Sequence, residues 1–264
     1  MSIHETAHIH NTAIVDDRAE IGPQVTIGPF SLITGDVEIG EGTIIKERVS
    51  IEGHTRVGMH NHIFAGAVIG SWPQDLHYAG APTQTIVGDH NLIREYVTIN
   101  AATPEGEGRT VVGNHCAFLT HSHVGHNCVV EDHVTLVNAV NLGGFVTVGE
   151  GAYIGGAASV HQFVRVGRNA TISGYSKTIQ DAPPYMTVAG QPTRVVGLNS
   201  VGLDRAGFSD EDKRLLKRAL RLLFRSGLTY SSALQQLEDF PPSPHIAHLM
   251  EFMRTSSRGV CRGK

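Results

Sequence analysis

The sequence predicts a mainly β protein, a parallel β-helix wound from six-residue repeats and followed by a small α-helical domain. Three observations predict it. Ile or Val occupies every sixth position eleven times in a row, from Ile9 to Ile69. A Gly stands directly after many of these aliphatics, as at Gly22, Gly28, Gly125 and Gly143. After Ile172 the period of six ends, and apolar residues at helical spacing take its place. No helix fits a period of six, because successive apolar residues would scatter around its cylinder. Short strands separated by turns do fit, and three hexads close one triangular coil whose inward aliphatics stack on the next.

Taken in order, the register runs from Ile9 to Ile69, lapses, resumes at Val87, Ile93 and Ile99, and continues from Val112 to Ile172. Each buried aliphatic contributes roughly 1.5–3 kcal/mol, offset by the ordering of its own hexad, so stability grows by stacking. The two lapses predict loops at 71–86 and 100–111, where the spacing stretches from Ile69 to Val87 and from Ile99 to Val112. Insertions in solenoids project as loops and often line a binding face. Residues 176–192 read as a Pro-marked exit, which divides the chain into a β-helix over 1–192 and a helical domain over 193–264. Ser209 before three acids reads as a helix N-cap, with Leu215, Leu216, Ala219, Leu222 and Leu223 on one face as far as Gly227. A second helix is expected over 231–240, and a third from Ser243-Pro244, with Pro at the first helical position.

Lys and Arg number 21 and Asp and Glu 25, a formal charge of −4, which excludes a generally basic nucleic-acid binder. Gly accounts for 30 of 264 residues and predicts many tight corners. Three Cys make no disulfide framework. No leader opens the chain and no apolar run approaches the ~18 residues needed to span a bilayer, so a reducing, cytoplasmic compartment is expected. Cys116 and Cys128 fall on the small inward position as filler, and Cys261 reads as an incidental thiol of the tail.

The densest polar cluster is THSHVGHNC, with His121, His123, His126 and Asn127. Three imidazoles can be metal ligands if they converge on one ion at ~2.0–2.1 Å. One of them can instead act as a general base, given a partner that orients its other nitrogen. A third reading leaves them as outward rings stacked between coils or subunits; the phase of the repeat points all three outward. The first C-terminal helix carries Lys213, Arg214, Lys217, Arg218, Arg221 and Arg225 with no acid between them, either a solvated face or a dock for an acidic partner.

The hexads together with QDLHYAG (74–80), IRE (93–95), HVGHNC (123–128), GGAASVHQF (155–163), QDAPPY (180–185) and GLDRAGFS (202–209) resemble the UDP-N-acetylglucosamine O-acyltransferases that open lipid A biosynthesis. The resemblance runs from about Ala13 to Arg258. It implies a left-handed β-helix, a hand opposite to the general crossover rule, and a homotrimer with active sites between subunits. It implies transfer of a 3-hydroxyacyl group from acyl carrier protein to the sugar 3-hydroxyl. The donor's own phosphopantetheine carries the acyl group, so neither a separate cofactor nor a metal is implied. By the same resemblance His126 is the general base and the Gly144 N–H holds the oxyanion. Gln74, Asp75, His77 and His123 contact the sugar. His161 and Gln162 approach the phosphates or pantetheine, Asn199 and Arg205 hold the nucleotide, and Gly174 leaves room for a longer acyl chain. Lys213, Arg214, Lys217, Arg218 and Arg221 dock the carrier protein.

Four positions depart from the family's pattern: Asn127 for an Asp after the base, His77 for a Lys, Phe145 for a His beside the oxyanion Gly, and Val201 for an acid. The last three bear on the acceptor and leave a 3-amino sugar as an alternative. Three rivals differ in visible ways. The pathway's later N-acyltransferase carries a domain before its solenoid, whereas the hexads here begin by residue 9. Carbonic anhydrases of the γ class have another ligand spacing and lack the helical tail. A non-catalytic scaffold would show no acyl transfer.

Overall fold

The computed structural model describes residues 2–263. Strands of two to six residues stack into the three faces of a prism. Strands from Ser2–Ile3 to Arg165–Val166 form a nine-stranded first face, and those from His8–Ile9 to Thr193–Leu198 an eleven-stranded second face. Strands from Ile14–Val15 to Lys177–Thr178 form a nine-stranded third face. Pairing is parallel throughout except at the end, where Met186–Gly190 turns back antiparallel onto Thr193–Leu198.

The repeat aliphatics fill the prism. Ile33, Ile45, Ile51, Ile63, Ile69, Ile93, Ile99, Phe118 and Leu136 are fully buried, while Ile9 and Val15 at the open end are half-buried. Cys116 and Cys128 sit among them, and burial pushes their thiols up to about 11 and about 12, as expected of filler. Asn61 and Asn91 share the small inward position. Their amides are satisfied by the Gly88 and Gly113 carbonyls and by the Asn91 and Cys116 N–H groups.

Some of the abundant Gly do make corners, as at Gly42, Gly66 and Gly151, but most of those that directly follow the aliphatics do not. A Cβ on Gly143 would lie 2.8 Å from the Gln162 nitrogen of the next coil, so this Gly serves close backbone approach. The left-handed corner residue comes two positions later and is often bulky: His115 (φ 55°), Asn127 (58°), Phe145 (60°). Its N–H closes the turn onto the preceding coil, as from Phe145 to the His126 carbonyl at 2.9 Å.

The insertions are shorter than their sequence bounds, because Val68–Ser71, Gln84–Val87, Thr98–Asn100 and Arg109–Val112 pair deeper into them. Both insertions leave the third face and return to the first, so they project from one edge of the prism, here called the loop edge. The exit segment is likewise more regular than expected. Residue 192 lies in the turn of the terminal hairpin, and a short helix, α1 (Ser200–Arg205), follows it. Then come α2 (Asp210–Arg225), capped by Ser209, α3 (Tyr230–Leu237) and α4 (Pro244–Arg254), capped by Ser243. On α2 it is Leu220 and Phe224 that complete the buried face, while Leu222 is only half-buried.

A carboxylate ties the helical domain to the last coils. Asp181, 1 % exposed, accepts from the Arg165 N–H, the Arg165 guanidinium at 3.2 Å and the Ser256 hydroxyl at 2.8 Å. Cys261 is not an incidental tail thiol. It is fully buried against Thr193, where the tail pairs back onto Asp181 and Val195. No described helix is long and apolar enough to cross a membrane.

Candidate active site

The three histidines adjacent in sequence part company in the fold. His121 lies in the turn between the second and third faces, stacked on Tyr96 at 5.1 Å. His123 leaves the third face with its Nδ1 2.7 Å from the Thr98 hydroxyl, and burial, then the neighbouring His126, hold it below the ordinary imidazole range. His126 occupies the turn on the loop edge. The three rings do not converge as ligands, and no set of three His, Cys, Asp or Glu side chains gathers for a metal ion among the described residues.

The surroundings of His126 specify its chemistry. The Asn127 Oδ1 accepts the Thr103 backbone N–H at 2.8 Å, and the Asn127 Nδ2 donates to the Thr103 and Glu105 carbonyls at 3.1 and 2.8 Å. These backbone partners leave one orientation for the amide. The same Oδ1 lies 2.9 Å from His126 Nδ1. An amide oxygen only accepts, so Nδ1 carries the proton and Nε2 keeps the free lone pair. Thr103 and Glu105 reach Asn127 from the second insertion, and the break in spacing after Ile99 is the one signal of them in the sequence.

Below the imidazole, one coil on, sits Gly144. A Cβ there would fall 2.4 Å from His126 Nε2, so only a Gly lets the ring lie across this turn. The Gly144 N–H makes no hydrogen bond among the described residues, while its carbonyl accepts from the Phe163 N–H at 3.1 Å. A free N–H beside a basic nitrogen is an arrangement that can hold a developing oxyanion. Phe145 meets the His126 ring edge-to-face, with centroids 5.4 Å apart, and stacks on Phe163 at 4.8 Å.

The first insertion contributes Asp75, whose Oδ1 takes the His77 N–H at 2.8 Å and lies 3.2 Å from the His77 ring nitrogen. The backbone N–H leads in holding its carboxyl below the usual range, so it stays charged at neutral pH. Gln74 and the His77 ring are exposed beside it. His161 and Gln162 are exposed at the same edge, with the Arg258 guanidinium 3.4 Å from His161 Nδ1. The sequence-expected Gln74, Asp75 and His77 of the first insertion, with His126, Gly144, His161 and Gln162, therefore share one edge.

Others do not. Asn199, Val201 and Arg205 line a cleft of about 580 Å³ with His133, Tyr153, Arg168 and Phe208, built on the second face and its edge with the first. Asn199 is largely committed to structure: it caps α1, accepting from the Gly202 N–H at 3.1 Å and donating to the Asn169 carbonyl at 2.9 Å. Arg205 and Val201 are exposed there. Gly174 lies in a turn between the second and third faces.

The basic stripe of α2 also divides. Lys213 pairs with Asp204 and, at 2.9 Å, with Asp210, while Arg214 pairs with Glu211 at 2.7 Å. Lys217, Arg218 and Arg221 have no acidic partner among the described residues. Arg218 lies over the Phe240 ring at 4.6 Å, and a groove of about 570 Å³ runs past Arg218, Arg221, Leu222, Arg225 and Phe240.

A family model described as UDP-N-acetylglucosamine O-acyltransferase, domain 2, matches residues 181–261. A Gloeothece citriformis protein named acyl-acyl-carrier-protein–UDP-N-acetylglucosamine O-acyltransferase is 47% identical over 221 residues, covering 82% of this chain and 80% of its own. A protein of the same name from Thermodesulfovibrio yellowstonii is 45% identical over 237 residues, covering 89% and 92%. The solved structure of LpxA from Acinetobacter baumannii matches with a TM-score of 0.93 at 36% identity, covering 96% of this chain and 99% of that one. UDP-N-acetylglucosamine acyltransferase from Campylobacter jejuni matches at 0.92 and 30% identity, covering 97% and 100%.

Proposed function

The chain belongs to the UDP-N-acetylglucosamine O-acyltransferase family, and we propose that it moves a 3-hydroxyacyl group from acyl carrier protein to the 3-hydroxyl of UDP-N-acetylglucosamine, the opening step of lipid A biosynthesis, with His126 as general base. The observation that carries the assignment of the base is the Asn127 amide, whose backbone partners oblige His126 to keep its lone pair on Nε2.

Nε2 takes the proton of the sugar 3-hydroxyl as that oxygen attacks the thioester carbonyl. The carbonyl oxygen gathers charge beside the Gly144 N–H. Collapse of the tetrahedral species breaks the carbon–sulfur bond, and the imidazolium returns its proton to the leaving pantetheine sulfur. General-base catalysis of this kind supplies about 10²–10⁴-fold in rate. The thioester arrives already activated, so the reading assigns no resident cofactor and no metal.

His123, held neutral, and the charged Asp75 lie where a sugar's hydroxyls can be bound, with Gln74 and His77 beside them. The cleft around Arg205 and Asn199 suits the nucleotide, yet it stands on another edge than His126, as does the turn of Gly174. Both flank the second face. One neighbouring copy presenting that face would supply both, which supports a homotrimer with sites between subunits. Lys217, Arg218 and Arg221, unpaired with acids, suit the acidic carrier protein. Lys213 and Arg214 are largely neutralised and contribute less.

The test is acyl transfer by purified protein with 3-hydroxyacyl carrier protein and UDP-N-acetylglucosamine. His126→Ala is expected to lose about 10²-fold or more in kcat with its fold retained. Retention of more than about a tenth of wild-type kcat would remove His126 from the role.

A further inference from the structure

Phe145 and Phe163 take no part in the chemistry above, yet their rings continue from the proposed base. Both stand at the left-handed turn position of successive coils on the loop edge, with φ 60° and 63°. Bulky residues enter that region at a cost, so their presence asks for a reason. Burial does not provide it, since Phe163 is 48% exposed. Aromatics also hold this turn position on the second–third edge, at Phe30, Tyr96 and Tyr175. Only the loop-edge pair touches His126, through the edge-to-face contact of Phe145.

We propose that Phe145 and Phe163 form an apolar rail for the cysteamine end of the donor thioester, making Phe145 a specificity-determining residue for the donor and not for the sugar. The inference rests on the acyl-transfer reading and names the part of the substrate these rings meet. A thioester whose carbonyl oxygen sits at the Gly144 N–H must pass its sulfur or its acyl carbon beside residue 145. A phenyl ring offers a sugar hydroxyl no hydrogen bond, whereas sulfur and methylenes pack well against ring edges. Direction selects the sulfur side. From His126 the rail runs through Phe145, one coil on, to Phe163, two coils on. That coil also carries Arg165, whose pair with Asp181 and guanidinium over Phe252 at 4.2 Å join it to α4 of the helical domain. A carrier protein on the groove of Arg218 and Arg221 would stand on this helical domain, whose α2 packs against α4, so its arm would reach His126 past this coil. The charged Asp75 comes from the first insertion, at the amino-terminal side of His126.

The experiment measures KM for both substrates in Phe145→Ala, Phe145→Leu and the double variant Phe145→Ala with Phe163→Ala, using 3-hydroxyacyl carrier protein and, separately, 3-hydroxyacyl-pantetheine. Expected is a rise of about tenfold in KM for both donors in the double variant, with Phe145→Leu restoring most of it. KM for UDP-N-acetylglucosamine should stay within about twofold, a change of less than half a kcal/mol. A raised sugar KM with unchanged donor KM would assign the rings to the acceptor and overturn the proposal. Unchanged KM for both substrates would overturn it equally. If the double variant fails to fold, Phe163→Ala at an exposed ring carries the same comparison. Calorimetric binding of 3-hydroxyacyl-pantetheine to wild type and variants keeps this outcome separate from the base assignment: lost transfer with retained, Phe-dependent donor binding would sink only the latter.

Discussion

The loop edge and the edge between the first and second faces are built from the same turn, yet one holds chemistry and the other holds a ladder. At the left-handed position of the second edge stand His60, His90, His115 and His133, stacked ring on ring at 5.1, 4.9 and 5.1 Å. At the same position of the loop edge stand Asn127, Phe145 and Phe163. Both edges bond each corner N–H to the coil before. The difference is interruption. Among the described residues, only the loop edge is broken by insertions, and only there does a corner side chain, Asn127, find backbone groups outside the coil to bind. An uninterrupted corner can stack with its copies above and below, while an interrupted one can orient a base.

The contrast predicts the largest effect where the imidazole crosses the loop edge. Gly144→Ala places a methyl 2.4 Å from Nε2 and 2.5 Å from Cε1 of His126, while Asn127 still holds the other side of the ring. The ring must tilt away from both acceptor and oxyanion positions. A displacement of this kind costs about 10²-fold in kcat. Circular dichroism and the unfolding midpoint should change little, since the strands on either side are untouched. Wild-type kcat in Gly144→Ala would show that the His126–Gly144 contact is not the working geometry.

Asn127→Asp follows, and it separates the two services of that amide. The carboxylate can still accept from His126 Nδ1, but it cannot donate to the Thr103 and Glu105 carbonyls, and it adds a charge that favours imidazolium. The acid limb of the kcat/KM profile should therefore move to higher pH, because a carboxylate beside the ring favours the protonated form, which cannot act as base. Two orphaned carbonyls, at roughly 1–3 kcal/mol for an unmet buried group, should loosen the second insertion. Trypsin cleavage after Arg109 is then expected to speed up about tenfold. An unmoved acid limb would mean that residue 127 does not govern the imidazole; unchanged cleavage would mean that it does not hold the loop.

How much of this could be read in the sequence follows from the same contrast. Period six placed individual residues: it assigned the inward aliphatics, Cys116 and Cys128, and both insertions, because the strand repeat is a local property. Contacts between coils were legible only where the repeat stayed intact. Phe145 and Phe163 are one coil of 18 residues apart, whereas the histidine ladder is spaced 30, 25 and 18 because the insertions lengthen two of its coils. The dense HxHxxH cluster therefore drew attention while its rings diverge, and four scattered histidines that do meet went unread. The orientation of His126 was hidden for a further reason. It depends on Thr103 and Glu105, which lie in a segment with no periodicity to place them. Helix α1 is too short for an apolar stripe, so Asn199 looked free for a nucleotide when much of its amide is spent on capping.

The smallest effect belongs to the ladder, and it tests whether the uninterrupted edge takes part in the chemical step. His115 lies between two rings, at interplanar angles of 2° to His90 and 7° to His133. His115→Asn keeps a side chain that tolerates the left-handed turn and removes only the stack. All four rings are exposed, so each pair belongs at the low end of the ~0.5–1.5 kcal/mol typical of aromatic contacts. The expected loss is about 1 kcal/mol in urea unfolding, compared with wild type at equal protein concentration, with kcat and the donor KM unchanged. A fall in kcat would show that the ladder reaches the reaction after all, and the division between a working edge and a supporting edge would not stand.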